Sequence, residues 1–383
     1  MRSVTIDGSI LEGGGQILRN AAALAAITGT HVTVENIRAG RTKPGLRPQH
    51  LTGLQLVARL SCGQLDGGAV GSRTISLAPS SLCAGEYEAD TGTAGSCTLM
   101  VQQSLPCLMF ARGRRGDSSA LASAVTLHGG TDADFAPPVD YLTAVLAPTL
   151  SRVLRLRNGA LRVECVTRGF VPRGGGVVKV SVEALPPGAS LPPFDLTDRG
   201  ELVSATVSAF TAGRIGVSTA QAMAAVAARL LPPLLPRGAR IETVATQEPR
   251  ERANGDGCGL SVVVATSTGC LLGACVPGKR GLSPEAAAVS AVQEISDVLA
   301  SGACVDQWMQ DQLVIWMALA CGESRMLCCE PTLHTRTAIA VVEQMLPVAK
   351  FSVTTVGGGG AAAAGAGQLY MIRCQGAGLA ASS

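Results

Sequence analysis

The chain has 383 residues, of which 46 are Gly and 20 are Pro, so about one residue in six interrupts regular backbone, which excludes a long-helix or coiled-coil protein. Lys and Arg number 31 against 28 Asp and Glu, a formal charge of +3, which disfavours a broad electrostatic binder of polyanions. Aromatic residues are 3% and apolar residues 47%; the first is too few for a base-stacking platform and the second too many for a disordered chain.

Length predicts two domains, with room for a third. In chain order, the pattern predicts a strand over 4–7, a glycine turn at Gly13, Gly14 and Gly15, a helix over 16–28 and a strand over 31–37. A similar order returns about eighty positions later, with Gly92 and Gly95 ahead of a helix through Leu99, Val101 and Leu105 and a strand over 124–127. The stretch LPPGASLPPFD, with Pro186, Pro187, Pro192 and Pro193, suits neither a helix nor a central strand and marks a boundary. Beyond it come a strand over 202–210, an Ala-rich helix over 218–231 capped by Ser218 and stopped by Pro232, and strands over 240–246 and 259–266. Gly278 and Gly281 then precede helices over 284–299 and 307–320. The division predicted is a core of repeated units over 1–183 and 273–383, with an inserted α/β domain over 184–272. Near the end, GGGGAAAAGAG from Gly357 reads as a low-complexity loop between strands over 351–356 and 369–374.

Thirteen Cys without a C-x-x-C pair argue against a zinc ribbon, and their odd number points to a reducing compartment. No run reaches the roughly 18 apolar residues of a membrane span, and Asp7 and Glu12 interrupt the opening, so a soluble chain without a leader peptide is expected.

The densest chemical signal lies in the first fifty residues, which hold six basic residues against three acids and so carry the whole excess of charge. There EGGGQILR is followed by IRAGRTKPGLRPQH, where Arg38, Arg41, Lys43 and Arg47 occur without an acid. Consecutive glycines let backbone amides approach a phosphate at a helix N-terminus, and Arg adds forked donors; a glycine turn beside a solvated basic loop is the alternative. RGFVPRGGGVVKV and HGGTDADFAPP repeat the theme and read equally well as tight turns. Gly273, Gly278 and Lys279 fit most of a P-loop, but Arg280 stands where Ser or Thr must hold magnesium, which excludes that site. Of four His, His31 reads as a surface residue, His50 and His128 fall in polar turns, and His334 precedes an apolar helical run. Neutral imidazole can attack phosphorus without a separate strong base. In VDQWMQDQL, Gln307, Trp308 and Asp311 share helical spacing, so an indole and a carboxylate can face one pocket. A phosphate-handling site is favoured, with the reaction left open.

At these residues the chain resembles the RNA 3′-terminal phosphate cyclase family. EGGGQILR, IRAGRTKPGLRPQHL, GTAGSCTL, HGGT, RGFVPRGGG, GKRG, DQWMQDQL and TLHTRTAIAVVE match in order and spacing, and R-G-x-x-P-x-G-G-G-x-V over 168–178 is the family's signature. The resemblance implies an α+β fold: a large domain of three repeated units, each a four-stranded sheet with two helices, carrying a small inserted α/β domain. It implies a ligase-class enzyme that converts an RNA 3′-terminal phosphate to a 2′,3′-cyclic phosphodiester with ATP. The route runs through a covalent histidine-AMP and an RNA-adenylate, releasing AMP and pyrophosphate. The family's nucleophile falls on His334. Its adenylate-contacting positions fall on Gln102, Pro137, Trp308, Asp311 and Gln312, with Trp308 where Tyr is commoner. Its metal-binding carboxylate falls on Glu12, implying Mg2+ or Mn2+. Arg19, Arg38, Arg41 and Gln49 lie on matching motifs as candidates for the substrate and nucleotide phosphates. The implied partner is an RNA 3′ end bearing a terminal phosphate, with no membrane and no obligate protein partner. GLRPQHL, STGCL and CQG are similar to eukaryotic members, which implies the nucleoplasm, with the cytoplasm as the alternative.

A rival within the family is a non-catalytic, cyclase-like factor of ribosome biogenesis and rRNA processing. That branch lacks the nucleophilic His, and the presence of His334 with Asp311 and Gln312 favours the enzyme.

Overall fold

The computed structural model describes residues 2–113, 122–356 and 368–381; the low-complexity loop expected from Gly357 lies outside them. Chain order begins with β1 (Ser3–Asp7), α1 (Gly15–Thr28), β2 (His31–Glu35), α2 (Pro48–Leu60), β3 (Gln64–Asp66) and β4 (Ile75–Ala78). β1 is parallel to β2, β2 antiparallel to β4, and β4 antiparallel to β3. β2 stops at Glu35, short of the expected end, because Asn36 and Arg38 turn the chain with φ of 51° and 53°. α1 is buried from Gln16 through Ala26, and its Ala-rich surface lets neighbouring helices approach on several sides.

The next stretch holds β5 (Glu86–Asp90), α3 (Cys97–Met109), β6 (Ala122–Gly129), a helical segment of α4 (Val139–Tyr141), a π turn (Leu142–Leu146) and α5 (Ala147–Val153), then β7 (Leu161–Gly169) and β8 (Gly176–Glu183). β5 is parallel to β6, and β8 lies antiparallel between β6 and β7. After β9 (Asp195–Leu196), the chain forms β10 (Leu202–Ala212), α6 (Val217–Leu230), β11 (Arg240–Gln247), β12 (Ala253–Asn254), β13 (Gly257–Thr266), β14 (Leu271–Pro277) and α7 (Pro284–Ser301). The sheet β11-β10-β13-β14, with α6 and α7, encloses a core of its own through Val207, Met223, Val262, Leu272 and Ile295. α8 (Gln307–Leu319), β15 (Glu323–Cys328), α9 (Leu333–Met345), β16 (Lys350–Val356) and β17 (Leu369–Gln375) complete the chain. β9 pairs parallel with β15, and β17 lies antiparallel between β15 and β16. The result is an α+β fold of small mixed sheets covered by helices.

Ser218 does not cap α6. The helix opens one residue earlier behind Gly216, without a side-chain cap, because the preceding turn is fixed by Asp256, which accepts from Arg214 N–H at 2.8 Å.

In the larger core α1 packs against α2, α3 and α9, while α8 packs against α9. A buried carboxylate sets the start of α8. Asp306 is fully buried and accepts from Trp308 and Met309 N–H, each at 3.0 Å, as N-cap. It also accepts from Tyr141 hydroxyl at 2.6 Å and from Gly273 N–H at 2.8 Å. Burial pushes its pKa up to about 6, against the pull of those four donors. Replacing Asp306 by Ala strands buried donors on Tyr141 and Gly273, so the urea midpoint should fall by the equivalent of about 3 kcal/mol or more at unchanged m-value. A loss no larger than that of an exposed cap, about 1 kcal/mol, would show that the network is not cooperative.

Candidate active site

His334 is the second residue of α9, and the first turn of that helix is unusually well fixed. Thr332 is its N-cap, accepting from Thr335 N–H at 3.1 Å. Gln310, fully buried on α8, accepts from Thr332 N–H at 3.1 Å and from Thr335 hydroxyl at 3.0 Å. The orientation of α8 thus sets that of α9. On the other side Glu12 N–H donates to Thr337 hydroxyl at 3.2 Å, and that hydroxyl donates to Leu333 carbonyl at 2.7 Å. The glycine turn is thereby tied to α9, bringing Glu12 Oε2 to 3.9 Å from His334 Nδ1. The imidazole is 53% exposed, whereas the Glu12 side chain is 11% exposed.

The glycines following Glu12 make room for side chains. A Cβ on Gly14 would overlap the Glu12 carboxylate, and one on Gly15 would fall 2.7 Å from His50 Nε2 and 2.8 Å from an Arg19 guanidinium nitrogen. The backbone has to pass this closely for Arg19 to reach the cleft.

One cleft is lined by Gln102, Pro137, Trp308, Asp311, Gln312, Arg19 and His334. All five positions that the family resemblance assigned to the adenylate therefore meet the expected nucleophile. Arg19 Nε donates to Gln102 Oε1 at 2.8 Å, and Gln102 Nε2 donates to Asp311 Oδ2 at 3.2 Å. A second Arg19 nitrogen donates to Gln16. Burial lowers the Arg19 pKa, countered by the charges of Asp311 and Glu12. Burial likewise raises that of Asp311, countered by Arg19 and then His334. Gln312 Nε2 donates to Trp308 carbonyl at 3.0 Å, and Trp308 Nε1 donates to Glu294 Oε1 on α7 at 3.1 Å.

Arg41 lies at the rim, donating to Glu12 carbonyl at 2.8 Å and forming an ion pair with Glu12 Oε1. Arg38 is bound to its own loop, donating to Lys43 carbonyl at 2.8 Å. Burial lowers its pKa, followed by repulsion from Arg41 and Arg47. Gln49 lines a small adjoining cavity with Arg19 and His50 and accepts from Ser96 N–H at 3.0 Å, at the N-cap of α3.

The other three His depart from expectation. His50 is buried in the first turn of α2, not in a polar turn, because Pro48 starts the helix and Arg47 N–H donates to His50 Nδ1 at 3.2 Å. His128 lies in β6 against Glu88 Oε1 at 2.7 Å, and His31, half-buried, meets Ser76 hydroxyl at 2.5 Å.

The signature arginine is structural. Arg168 donates to Asp140 at 2.9 and 3.0 Å and to Glu248 at 2.8 Å, and its guanidinium lies 3.5 Å from the centroid of the Phe210 ring. It binds the end of β7 to the sheet that contains β10.

Sequence reasoning did not find Phe135, Glu294, Asp306 or Gln310. Phe135 lines the cleft, 96% exposed, with φ of 60°; an aromatic residue inside the polar turn HGGTDADFAPP was its one local signal.

The family model for RNA 3′-terminal phosphate cyclase matches residues 10–353. The chain belongs to this family. A Drosophila melanogaster protein named RNA 3′-terminal phosphate cyclase is 37% identical over 378 residues, covering 98% of this chain and 97% of its own length. One of the same name from Pyrobaculum neutrophilum is 38% identical over 356 residues, 93% of this chain and 96% of its own length. A probable RNA 3′-terminal phosphate cyclase of Dictyostelium discoideum is 36% identical over 353 residues, 91% and 78% of the two chains. The chain is thus an enzyme of the cyclase class. Among the described residues, no helix is long and apolar enough to cross a membrane.

His50 gives the cyclase a pH signature. Burial, with the charges of Arg19, Arg38 and Arg47, lowers its pKa from the usual 6.5 to about 3. The unfolded chain takes up a proton near pH 6.5 that the folded chain refuses until about pH 3. This contribution to stability is therefore complete above pH 6.5 and is lost as pH falls through that window. In His50→Asn, the dependence of the urea midpoint on pH below 6.5 should flatten by up to about 1.4 kcal/mol per pH unit relative to the parent. An unchanged slope would contradict a neutral buried His50.

Proposed function

We propose that the cyclase uses ATP to convert an RNA 3′-terminal phosphate to a 2′,3′-cyclic phosphodiester, with His334 as the nucleophile. The reading rests on one observation: His334 opens onto the same cleft as Gln102, Pro137, Trp308, Asp311 and Gln312, drawn from separate stretches of the chain. With Nδ1 directed toward Glu12, His334 Nε2 is the nitrogen that attacks the α-phosphorus. A nitrogen–phosphorus bond forms as the bond to pyrophosphate breaks and its electron pair leaves with pyrophosphate. The imidazole ring then carries the positive charge, which the Glu12 carboxylate stabilises at short range. AMP passes next to the RNA 3′-phosphate and is displaced by the neighbouring 2′-hydroxyl, which loses its proton as the cyclic diester closes. Arg19 and Arg41 neutralise phosphate charge, and the N-terminus of α9 supports it with backbone amides.

Glu12 fits the role of a divalent-metal ligand. Its Oε2 is buried without a hydrogen-bond partner, and Mg2+ commonly takes one or two carboxylates with the substrate phosphates supplying other oxygens. Among the described residues no cluster of three or more acidic, His or Cys ligands could form an all-protein cage. A bound Mg2+ or Mn2+ would spread phosphate charge in the transition state.

The same reading takes the three sheets of the larger core as copies of one unit. In each, the first strand is parallel to the second, and the fourth lies antiparallel between the second and third. It keeps the division into a repeated core and one inserted domain, expected over 1–183 with 273–383 and over 184–272. Packing favours an insertion shifted toward the C-terminus, since β9 joins β15 while β14 and α7 belong to the inserted sheet's core. Nuclear location completes the proposal.

Incubation with ATP labelled at the α-phosphate and Mg2+ or Mn2+ should yield an acid-labile, alkali-stable protein adduct that is absent in His334→Ala. No adduct would falsify the mechanism and favour the non-catalytic rival, whereas one that persists in the variant would move the nucleophile away from His334. Arg41→Ala should weaken use of 3′-phosphorylated RNA by about tenfold, with inhibition by a 3′-hydroxyl RNA changed less than about twofold. Equal losses for both RNAs would rule out a terminal-phosphate role for Arg41.

A further inference from the structure

The wall of the cleft formed by the first turn of α8 is held by a residue from another part of the fold. Glu294, half-buried on α7, accepts two hydrogen bonds at Oε1: from Trp308 Nε1 at 3.1 Å and from Gln307 Nε2 at 2.7 Å. Both donors line the cleft with His334. An indole nitrogen can only donate and an ionised carboxylate can only accept, so this contact fixes the rotation of the Trp308 ring about its side chain. It also fixes the Gln307 amide, which has to turn its nitrogen to Glu294 and keeps its carbonyl oxygen for a ligand. Asp306, the N-cap of the same helix, holds only backbone N–H groups there.

We propose that Glu294 is a positioning residue for the nucleotide base, orienting Trp308 as a stacking face and Gln307 as a hydrogen-bond acceptor. The proposal rests on the reading of the cleft as the ATP site. The chemistry favoured is a base with an exocyclic amine at its Watson–Crick edge, as in adenine; the O6 of guanine would meet the Gln307 oxygen with like partial charge. Burial raises the Glu294 pKa, against the lowering effect of the Gln307 and Trp308 hydrogen bonds. Those donors favour the charged form of a partly desolvated carboxylate. Glu294 lies on the helix that closes the inserted sheet's core, so the base would be read across the seam between that sheet and α8.

The test uses the intact chain labelled with 15N at tryptophan. The chain has two Trp, giving two indole resonances, with Trp308→Phe assigning one. In Glu294→Ala the Trp308 resonance should shift and exchange faster with solvent. KM for ATP should rise about tenfold with kcat within about twofold, and the preference for ATP over GTP should shrink by a similar factor. Glu294→Gln keeps one acceptor oxygen and should lie between, which also covers the case in which the Ala variant fails to fold. An unmoved Trp308 resonance in both variants overturns the proposal, as does a shifted resonance with KM and base preference unchanged. If ATP leaves the Trp308 resonance of the parent chain unperturbed, the nucleotide reading of the cleft fails instead, and base positioning by Glu294 falls with it.

Discussion

The candidate site hangs on the carboxylate of Asp306. Buried charge is tolerated only where donors replace the lost water, and Asp306 draws its donors from three parts of the chain: Tyr141 in the segment after β6, Gly273 on β14, and the first turn of α8. Satisfying that one group fixes the direction in which α8 leaves the seam. Gln310, one turn along, passes the constraint to Thr332 and Thr335, and hence to His334. Two polar clusters, Tyr141 with Asp306 and Gln310 with Thr332 and Thr335, are thus joined through the backbone of α8 beneath an imidazole that is itself half in solvent.

A comparable arrangement joins the two cores at Arg168. Its desolvation is offset by Asp140, Glu248 and the more distant Asp132 at 3.7 Å, and the Phe210 ring covers its face. An apolar seam of the same area would permit sliding; a guanidinium with fixed carboxylates on both sides permits one register. Burial raises the pKa of Asp132 to about 6, with Arg168 pulling it down. The arginine that opens the glycine-rich signature thus aligns two sheets.

What the sequence disclosed and what it hid follow from the range of the interactions. α1 and α7 carry helical periodicity over many residues, and their placement agrees with expectation to within one or two positions. The spacing of Gln307, Trp308 and Asp311 is local, so their shared pocket was legible. Ser218 misled because a good capping residue lay one turn position too late, behind a turn fixed by the distant Asp256. His50 was hidden for the opposite reason: a basic, proline-containing run looks solvated, yet Pro48 opens a helix that buries the ring beside Gly15. Glu294 has no local signature, since its partners lie on a different helix and become neighbours only when α7 meets α8. Asp306 was hidden as a junction because Tyr141 and Gly273, which donate to it, are far away in sequence.

The fold also explains how a chain of net charge +3 can serve a phosphate substrate. Three of its N-terminal arginines are tied to protein acceptors. Arg19 is bound to Gln102, Arg41 to Glu12, and Arg38 to the backbone of its own loop, while burial keeps His50 neutral among them. Each guanidinium is already oriented by a protein acceptor, so an incoming phosphate meets donors whose reorganisation cost is small. Interactions of this kind act over one or two hydrogen-bond lengths and fade little with salt compared with an exposed basic surface. On the proposed function they would favour a doubly charged terminus over the singly charged diesters along a strand and would be indifferent to base sequence. On the proposed reading, the paucity of aromatic residues and the near-balance of charge follow from that division of labour: the RNA is held by its end, and the one base the protein has reason to recognise is that of the nucleotide.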